Sequence, residues 1–338
     1  MTTGAEAGPR DYARAPRRLP RDAFGEAILE LGEKDPRVVL LAADLGRMVS
    51  YPEFSLKYPS RAYNLGVAEQ NMMGVAAGLA SFGLIPFATT CCAFATLRAL
   101  EQLRNDAAYT GFNVKVGGVY SGITMGAGGS THHSTEDFGV LRSIPGVTIL
   151  APADAPETYR ATLAAVDWPG PVYIRLGGRE PDPLVYEAEH DFAIGKAIVL
   201  REGSDLTIAA TGSMVFPAMW AADVLRSEGI RARLLNVHTI KPMDADAIGR
   251  AARETGRILT VEEHNAVGGL GSAVADVVVA SCPVPVRMLG LPDRFLSVGP
   301  VNQLRARFGL SWEGIVEEAR RFLKGRAAHD HCCDAVTG

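Results

Sequence analysis

Short apolar segments alternate with helix-length segments in two consecutive blocks of this chain, and this alternation limits the folds open to it. The predicted buried strands are 38–44, 85–90, 113–120, 147–154 and 171–176 in the first block, and 206–211, 232–238, 257–263 and 284–291 in the second. Strands that alternate with helices form mostly parallel sheets covered on both faces. The sequence therefore predicts an α/β fold of two consecutive domains, each a mostly parallel sheet flanked by helices.

A segment rich in Pro, Gly and acidic residues, 177–194, separates the two blocks and predicts an interdomain linker. The predicted organisation is a flexible N-terminal arm at 1–18, a first domain at 19–180, a linker at 181–196, a second domain at 197–325 and a disordered tail at 326–338. The first twenty residues hold several Arg, three Pro and no apolar run. We therefore expect neither a secretory signal nor a transit peptide.

Charge and cysteine content narrow the class of protein. The net charge of -4 over 338 residues gives no support for nucleic-acid or membrane-surface binding, because both require a basic face. No disulfide framework or zinc spacing emerges from the five cysteines, which predicts a reducing, cytoplasmic location. They are Cys91, Cys92, Cys282, Cys332 and Cys333. The sequence HDHCCD at 329–334 lies at the chain end, where an unstructured tail is favoured over a metal site.

In the stretch YNLGVAEQNMMGVAAGLASFG, residues 63–83, the run of small and apolar residues after Tyr63 and Asn64 predicts a helix that packs against other protein on most sides. Its one acidic residue, Glu69, comes at the start of the run of small residues. Burying a lone carboxylate is costly unless it is paired or protonated. Two interpretations remain open: a half-exposed first-turn carboxylate favoured by the helix dipole, or a group that shares a proton with a bound partner.

The segment SGITMGAGGSTHHSTED, residues 121–137, follows a predicted strand and contains four Gly and two His. Ligand sites on parallel sheets lie at the carboxyl ends of the strands, so this loop is a candidate site. Neither block contains a dinucleotide or P-loop phosphate motif. The spacing of Ser134 to Asp137, and of Asp154 to Glu157, predicts side-chain caps at two helix starts.

Three segments together resemble transketolases and related thiamine-diphosphate enzymes. They are YNLGVAEQNMMGVAAGLASFGLIPF (63–87), GGSTHHSTEDFGVLRSIPGVTILAPAD (128–154) and VEEHNAVGGLGSAV (261–274). The resemblance runs from about residue 18 to 325 and implies a pyrimidine-binding domain followed by a transketolase C-terminal domain. It also implies that Glu69 hydrogen-bonds the aminopyrimidine ring of thiamine diphosphate and activates the cofactor.

The GDG…N signature, which holds the diphosphate and its metal in this family, has no GDG counterpart in the sequence. The chain therefore resembles the C-terminal half of a split transketolase. The resemblance implies an N-terminal partner subunit that carries the GDG…N motif and the Mg²⁺ or Ca²⁺ ion, in an α₂β₂ heterotetramer. We expect the chain alone to show no turnover.

Cofactor-binding positions follow from the resemblance residue by residue. Phe94 matches an aromatic residue that packs on the pyrimidine ring, although an ordinary core Phe is the alternative. Cys91 stands where family members often have Phe, a change that widens the pocket or is compensated by Phe87. Asp44 matches an acidic position near the cofactor, and a strand-end turn or helix cap is its alternative.

Substrate-binding positions are expected in the same loops. His132 matches the family histidine that faces the donor substrate and handles its protons, and a loop role is the alternative for it and for His133. Arginines in the regions of Arg21, Arg175 and Arg179 bind substrate phosphate in sugar-phosphate transketolases, with surface charge as the alternative.

Two departures from the family pattern affect the expected substrate. Gly128 stands where many transketolases have an acidic residue, and Tyr120 stands where many have a histidine. In those enzymes the two residues bind sugar hydroxyls, so their absence favours an altered donor or acceptor. His264 matches a C-terminal-domain motif at the dimer contact, and a loop role remains its alternative.

Three functions stay open at this point. The preferred one is transfer of a two-carbon ketol unit from a ketose or modified-sugar donor to an aldehyde, in a heteromer. The second is the β-subunit of a 2-oxo-acid dehydrogenase or acyl-transferring enzyme, which would require a lipoylated acceptor. The third is a non-catalytic homologue that serves assembly or regulation.

Overall fold

Two sheets organise the chain in the computed structural model, which describes residues 14–45, 49–188 and 190–325. The strands of the N-terminal part are β1 (Arg17–Arg18), β2 (Val38–Ala42), β3 (Ala62–Asn64), β4 (Ile85–Cys91), β5 (Lys115–Val119), β6 (Thr148–Leu150), β7 (Val172–Arg175) and β8 (Asp182–Pro183). The helices of this part are α1 (Pro20–Lys34), α2 (Tyr51–Lys57), α3 (Glu69–Ser81), α4 (Leu100–Gln102), α5 (Asp137–Arg142) and α6 (Ala155–Asp167).

The C-terminal part repeats the alternation of strands and helices. Its strands are β9 (Ile198–Arg201), β10 (Leu206–Ala210), β11 (Ala232–Asn236), β12 (Thr239–Lys241), β13 (Ile258–Asn265) and β14 (Val286–Leu291). Its helices are α7 (Val215–Ser227), α8 (Ala245–Thr255), α9 (Leu270–Ser281), α10 (Val301–Arg307) and α11 (Trp312–Lys324). The remaining short turns are 3₁₀ at Pro59–Arg61, Gly126–Thr131 and Gly212–Met214, and π-helical at Phe94–Arg98 and Leu103–Ala108.

Within the described residues, the first sheet has the strand order β12-β6-β7-β5-β4-β2-β3, and the second has the order β14-β13-β10-β11-β9. Neighbouring strands are parallel except at two edges, where β12 runs antiparallel to β6 and β9 antiparallel to β11. The central strands are buried along their whole length, as expected for sheets covered on both faces. The predicted α/β fold of two domains is confirmed.

Strand β12 belongs to the C-terminal part of the sequence but completes the sheet of the N-terminal part. It pairs with β6, and the Lys241 ammonium donates to the backbone carbonyls of Arg142 and Ile144. The sequence predicted no strand at 239–241. The reason is that three residues carry too little periodicity to predict a strand, and the pairing partner is about 90 residues earlier in the chain.

The helix predicted for the run that follows Tyr63 and Asn64 begins later than expected, because the residues before Glu69 form a turn. Ala62–Asn64 forms β3 at the sheet edge, and α3 begins at Glu69. The Asn64 side-chain oxygen accepts hydrogen bonds from the backbone amides of Asp44 and Gly66. Gly66 has a φ of +71°, which turns the chain from β3 toward the helix start.

One of the two predicted caps is present. Asp154 caps α6 by accepting a hydrogen bond from the Glu157 amide, as predicted. The predicted Ser134 cap is wrong: α5 starts at Asp137 and has no side-chain cap. The Asp137 carboxylate is instead held by Arg175 and Tyr173, so tertiary contacts override the local capping pattern.

The predicted arm and linker are joined at one point. Arg17–Arg18 pairs antiparallel with Asp182–Pro183, so the end of the arm is not free, contrary to the expectation for 1–18. Residues 1–13 and the tail 326–338, with Cys332, Cys333 and the HDHCC sequence, lie outside the described residues. No helix of the described ranges combines the length and the apolar character needed to cross a membrane.

A buried polar network joins α6, the linker and β11. The Glu157 carboxylate accepts hydrogen bonds from the Ala153 amide and the Asn236 side chain, and Asn236 also donates to the Tyr186 hydroxyl. Asp154 accepts from the backbone amides of Val185 and Tyr186. Burial raises the pKa of Glu157 to about 8, so this carboxyl is largely protonated at neutral pH.

We expect the Glu157→Gln substitution to remove a pH dependence of stability. Between the ordinary pKa of 4.5 and the folded pKa of about 8, the folded state keeps a proton that the unfolded state has lost. Stability from this residue is therefore greatest at low pH and falls as pH rises, by up to about 1.4 kcal/mol per pH unit. The variant's Tm relative to wild type should rise between pH 5 and pH 8.5.

Thermal unfolding of both proteins across that range measures the difference. Glu313→Gln, at an exposed position in the first turn of α11, is the control and should leave the profile unchanged. Parallel wild-type and Glu157→Gln curves would show that burial does not perturb this carboxyl.

Candidate functional site

Four parallel strands of the first sheet end along one edge, and most of the predicted site residues lie there. Asp44 follows β2, Cys91 ends β4, Tyr120 follows β5 and Arg179 follows β7. The carboxyl edge of a parallel sheet is where such folds bind ligands. Helix α3 brings Glu69 to the sheet by packing against β4.

The Glu69 side chain is buried, with 2% of its surface exposed, and is paired with an arginine. Its Oε2 accepts a hydrogen bond from Arg98 Nη1 at 2.9 Å. The Arg98 guanidinium also lies over the Phe94 ring, 4.1 Å from its centroid. Of the two interpretations of Glu69, the half-exposed first-turn carboxylate is excluded, because the group is both buried and charge-paired.

His132 lies on the other side of Phe94. The two rings form an edge-to-face pair with centroids 5.2 Å apart, and His132 Nδ1 is 2.9 Å from the Thr131 hydroxyl. Gly129, with a φ of +64°, turns the loop that presents both residues. Phe94 thus contacts His132 directly, and Arg98 links Phe94 to Glu69.

A cleft of about 240 Å³ opens at this cluster. Its lining includes Phe94, Arg98, Thr131, His133 and Phe295. A partly exposed aromatic face beside a buried carboxylate fits the aminopyrimidine ring that the sequence resemblance implies, because the ring can stack on one and hydrogen-bond the other. His133 is buried, and burial lowers the pKa of its imidazole, so the ring is neutral near pH 7.

Cys91 lies next to the cluster, and Phe87 does not. Burial raises the pKa of the Cys91 thiol to about 11; the Glu69 charge adds to the shift, while Arg98 and Arg179 oppose it. The thiol is therefore protonated and unreactive near neutral pH. Phe87 is fully buried against Phe24. It precedes Cys91 by four residues, which is about 13 Å along the strand at roughly 3.3 Å per residue. The expectation that Phe87 compensates for Cys91 at the cofactor is therefore wrong.

Asp44 and Arg21 lie on neighbouring elements of the same end of the domain. Asp44 is exposed and has a φ of +58°, a strained conformation for a residue with a side chain. Its amide is held by Asn64, which also forms the turn leading to Glu69. Arg21 is in the first turn of α1, with Nε 3.8 Å from the Asp22 carboxylate.

Arg179 lines a second cavity, of about 570 Å³, between the two domains. Its Nε donates to the Tyr120 hydroxyl at 3.4 Å. Tyr120 is buried and has a φ of +64°, so the backbone at the end of β5 is strained. The residue that departs from the family pattern therefore contacts the arginine expected to bind substrate.

Arg175 is a structural residue in this chain. Its guanidinium is 4% exposed, forms a bidentate pair with Asp137, and donates to the backbone carbonyls of Ser134 and Glu263. The Phe138 ring lies 4.4 Å from its Cζ. These contacts leave the group no access to a substrate, so the expected phosphate-binding role of Arg175 is withdrawn.

His264 packs against α5, close to the Arg175 and Asp137 pair. The ring stacks on Phe138, its Nε2 accepts from the Gly139 amide, and its Nδ1 donates to the Asn265 carbonyl. Burial lowers the pKa of His264 to about 4, so the ring is neutral. His264 lies within β13 rather than in a loop, and these contacts give it a structural role in this chain.

Arg98 and Phe295 are the site residues that sequence reasoning missed. Arg98 has a recognisable signal, since it lies four positions after Phe94, the spacing at which two residues share one face of a helix. Phe295 is 84% exposed and reaches the cleft from the C-terminal domain, so no local pattern links it to the first domain.

Comparisons with known proteins agree over both domains. Residues 20–180 match the family described as transketolase, pyrimidine binding domain, and residues 195–315 match transketolase, C-terminal domain. The 6-deoxy-6-sulfo-D-fructose transketolase subunit SqwH of Clostridium sp. (strain MSTE9) is 45% identical over 299 residues, covering 88% of this chain and 92% of its own length.

Two further relatives also align over most of this chain and most of their own length. An apulose-4-phosphate transketolase subunit of Phocaeicola vulgatus is 43% identical over 305 residues, covering 90% of this chain and 97% of its own length. A solved split-gene transketolase, described as an inactive β4 tetramer, is 39% identical with a TM-score of 0.83, covering 91% of this chain and 99% of that one.

We expect Asp137→Ala to destabilise the chain strongly, because it leaves the Arg175 guanidinium buried without its counter-charge. The expected loss is about 3–5 kcal/mol in the free energy of unfolding, with Asp137→Asn intermediate. Urea unfolding followed by circular dichroism measures it. Asp276→Ala, which removes the exposed partner of Arg142, is the control and should cost less than about 1 kcal/mol. Equal effects of Asp137→Ala and Asp276→Ala would contradict the structural role of the pair.

Proposed function

The chain belongs to the transketolase family, and we propose on that premise that it is the C-terminal subunit of a split transketolase. It transfers a two-carbon ketol unit between a ketose donor and an aldehyde acceptor, with thiamine diphosphate as cofactor. The observation that carries this proposal is the cluster of Glu69, Phe94 and His132, which lies beside the cleft that Phe94 lines.

The proposal includes an obligate partner. An N-terminal subunit with a GDG…N motif supplies the diphosphate and Mg²⁺ or Ca²⁺ site, and the assembly is an α₂β₂ heterotetramer. Two of the relatives described above are themselves named as transketolase subunits, and this chain covers 92% and 97% of their lengths. In this division of the cofactor between two polypeptides, the ring end is bound by this chain.

Each residue of the cluster has a proposed role at a stated atom. When bound, thiamine diphosphate supplies the carbanion chemistry that breaks and forms the carbon–carbon bond. The Glu69 carboxylate holds the aminopyrimidine ring by a hydrogen bond and takes part in moving its proton. Phe94 packs on the ring face, and His132 Nε2 moves protons to and from the substrate carbonyl or hydroxyl.

The donor is proposed to be a ketose that carries an anionic end. The two curated relatives are named for 6-deoxy-6-sulfo-D-fructose and apulose-4-phosphate, one a sulfonate and one a phosphate. Arg179, oriented by the Tyr120 hydroxyl, suits such a group because a guanidinium binds both kinds of oxyanion. Arg21 and His133 are proposed to contact the same substrate, and Asp44 and Cys91 to line the cofactor side.

We expect Glu69→Ala to lower kcat of the reconstituted heteromer by about 100-fold or more, the range for losing a positioned proton-transfer group. The assay mixes this chain, its partner, thiamine diphosphate and Mg²⁺ with a ketose and an aldehyde. Glu101→Ala, at an exposed position on α4, is the matched control and should keep full activity. Full activity of Glu69→Ala would defeat the role of Glu69, and turnover that requires a lipoylated acceptor would favour a 2-oxo-acid dehydrogenase.

Arg179→Ala should raise KM for phosphorylated or sulfonated ketoses by about 10- to 100-fold, since a charge-assisted hydrogen bond contributes roughly 1.5–3 kcal/mol. KM for an uncharged ketose should change little, and Tyr120→Phe should give a smaller effect in the same direction. Steady-state kinetics on charged and uncharged donors separate the two classes. Arg250→Ala, on the exposed face of α8, is the control. Equal losses on both donor classes would remove Arg179 from anion recognition.

A further inference from the structure

Arg98 contacts both Glu69 and Phe94, the two side chains that the proposed function assigns to binding the cofactor ring. Its Nη1 donates to Glu69 Oε2 at 2.9 Å, and its Cζ lies 4.1 Å from the Phe94 centroid. A guanidinium and an aminopyrimidine share the features that such a site recognises. Both are flat, delocalised groups that present N–H donors at the edge and stack on aromatic faces.

We propose that Arg98 occupies the aminopyrimidine position of the free subunit, and that loading of the cofactor is an exchange in which the ring displaces this guanidinium. The inference rests on the proposed function of the site. It assigns a role to a side chain that neither the sequence motifs nor the site chemistry had used.

The burial of Glu69 explains why this position needs an occupant. A carboxylate that is 2% exposed is costly to leave without a partner, and Arg98 supplies one as long as no ring is bound. After exchange, the carboxylate trades one N–H donor for another. Neither state then contains a buried, unpaired carboxylate, and the ring binds more weakly than it would to an unpaired Glu69 by the cost of displacing the guanidinium.

The arginine itself is placed so that it can leave. Its side chain is 46% exposed, so the displaced cation returns to water rather than into protein. Among the described residues, its hydrogen-bonding partner is Glu69. The pair is open to water only on its arginine side, so the guanidinium can leave once another donor reaches Glu69.

The backbone supports the same assignment. Phe94 and Arg98 are the first and last residues of a π-helical turn closed by the Ala99 amide and the Phe94 carbonyl. Such turns are uncommon and occur frequently at functional sites. Here the wider turn places the fifth residue of the segment over the ring of the first.

Equilibrium binding tests the exchange without relying on turnover. Isothermal titration of the reconstituted heteromer with thiamine diphosphate, and of the full chain with the free aminopyrimidine alcohol, gives Kd for wild type and Arg98→Ala. We expect Arg98→Ala to bind both ligands about five- to tenfold more tightly, because no guanidinium has to be displaced. Arg104→Ala, an exposed arginine on the adjoining turn, is the control and should match wild type.

A competition experiment adds an independent readout. Methylguanidine at non-denaturing concentration should weaken ligand binding to Arg98→Ala by refilling the vacated position, and should have less effect on wild type or Arg104→Ala. Arg98→Gln, which keeps a neutral donor, should fall between wild type and Arg98→Ala and serves if the alanine variant does not fold.

The possible outcomes separate this inference from the proposed function. Binding by Arg98→Ala that is equal to or weaker than wild type, in a heteromer whose activity depends on Glu69, overturns the exchange and leaves the proposed function standing. Failure of the wild-type heteromer to bind thiamine diphosphate overturns the proposed function itself, and the exchange with it.

Discussion

The buried pair of Arg175 and Asp137 is the contact on which the rest of the structure depends. It joins the end of β7 to the start of α5, and the same guanidinium reaches the Glu263 carbonyl in the second domain. His264 continues the connection by accepting from the Gly139 amide. The loop that carries His132 and His133 is thereby held between the two domains at its C-terminal end, and Gly129 provides the turn within it.

A second constraint acts on the carboxylate of the site. Asn64 ties the end of β2 to the turn before α3, and the helix begins at Glu69 immediately beyond that turn. The backbone geometry thus places the Glu69 carboxylate in a buried position. A buried carboxylate is costly unless a charged or hydrogen-bonding group pairs with it. Arg98 meets that requirement within the chain, and the proposed cofactor ring meets it in the assembly. The same physical demand accounts for the resting contact and for the proposed catalytic one.

Some features of the fold and site were predictable because they rest on local rules. The strand at 85–90 and the cap of α6 by Asp154 follow from residue type and spacing, and both are present. Arg175, Phe87 and Ser134 were assigned differently from what the structure shows. Each is decided by partners more than 30 residues away, such as Asp137 for Arg175 and Phe24 for Phe87, which one-dimensional periodicity does not report.

The amino-acid sequence by itself determined the two α/β blocks, the existence of the helix that carries Glu69 and the family to which the chain belongs. It could do so because hydrophobic alternation and short motifs are properties of neighbouring residues. Only the tertiary structure decided that β12 completes the other domain's sheet, that Arg175 is sealed inside the domain junction, and that Arg98 reaches both Glu69 and Phe94. These outcomes depend on contacts between segments that are distant in the sequence. A buried charged group or an unpaired strand edge is stable only where the fold places a hydrogen-bonding partner next to it.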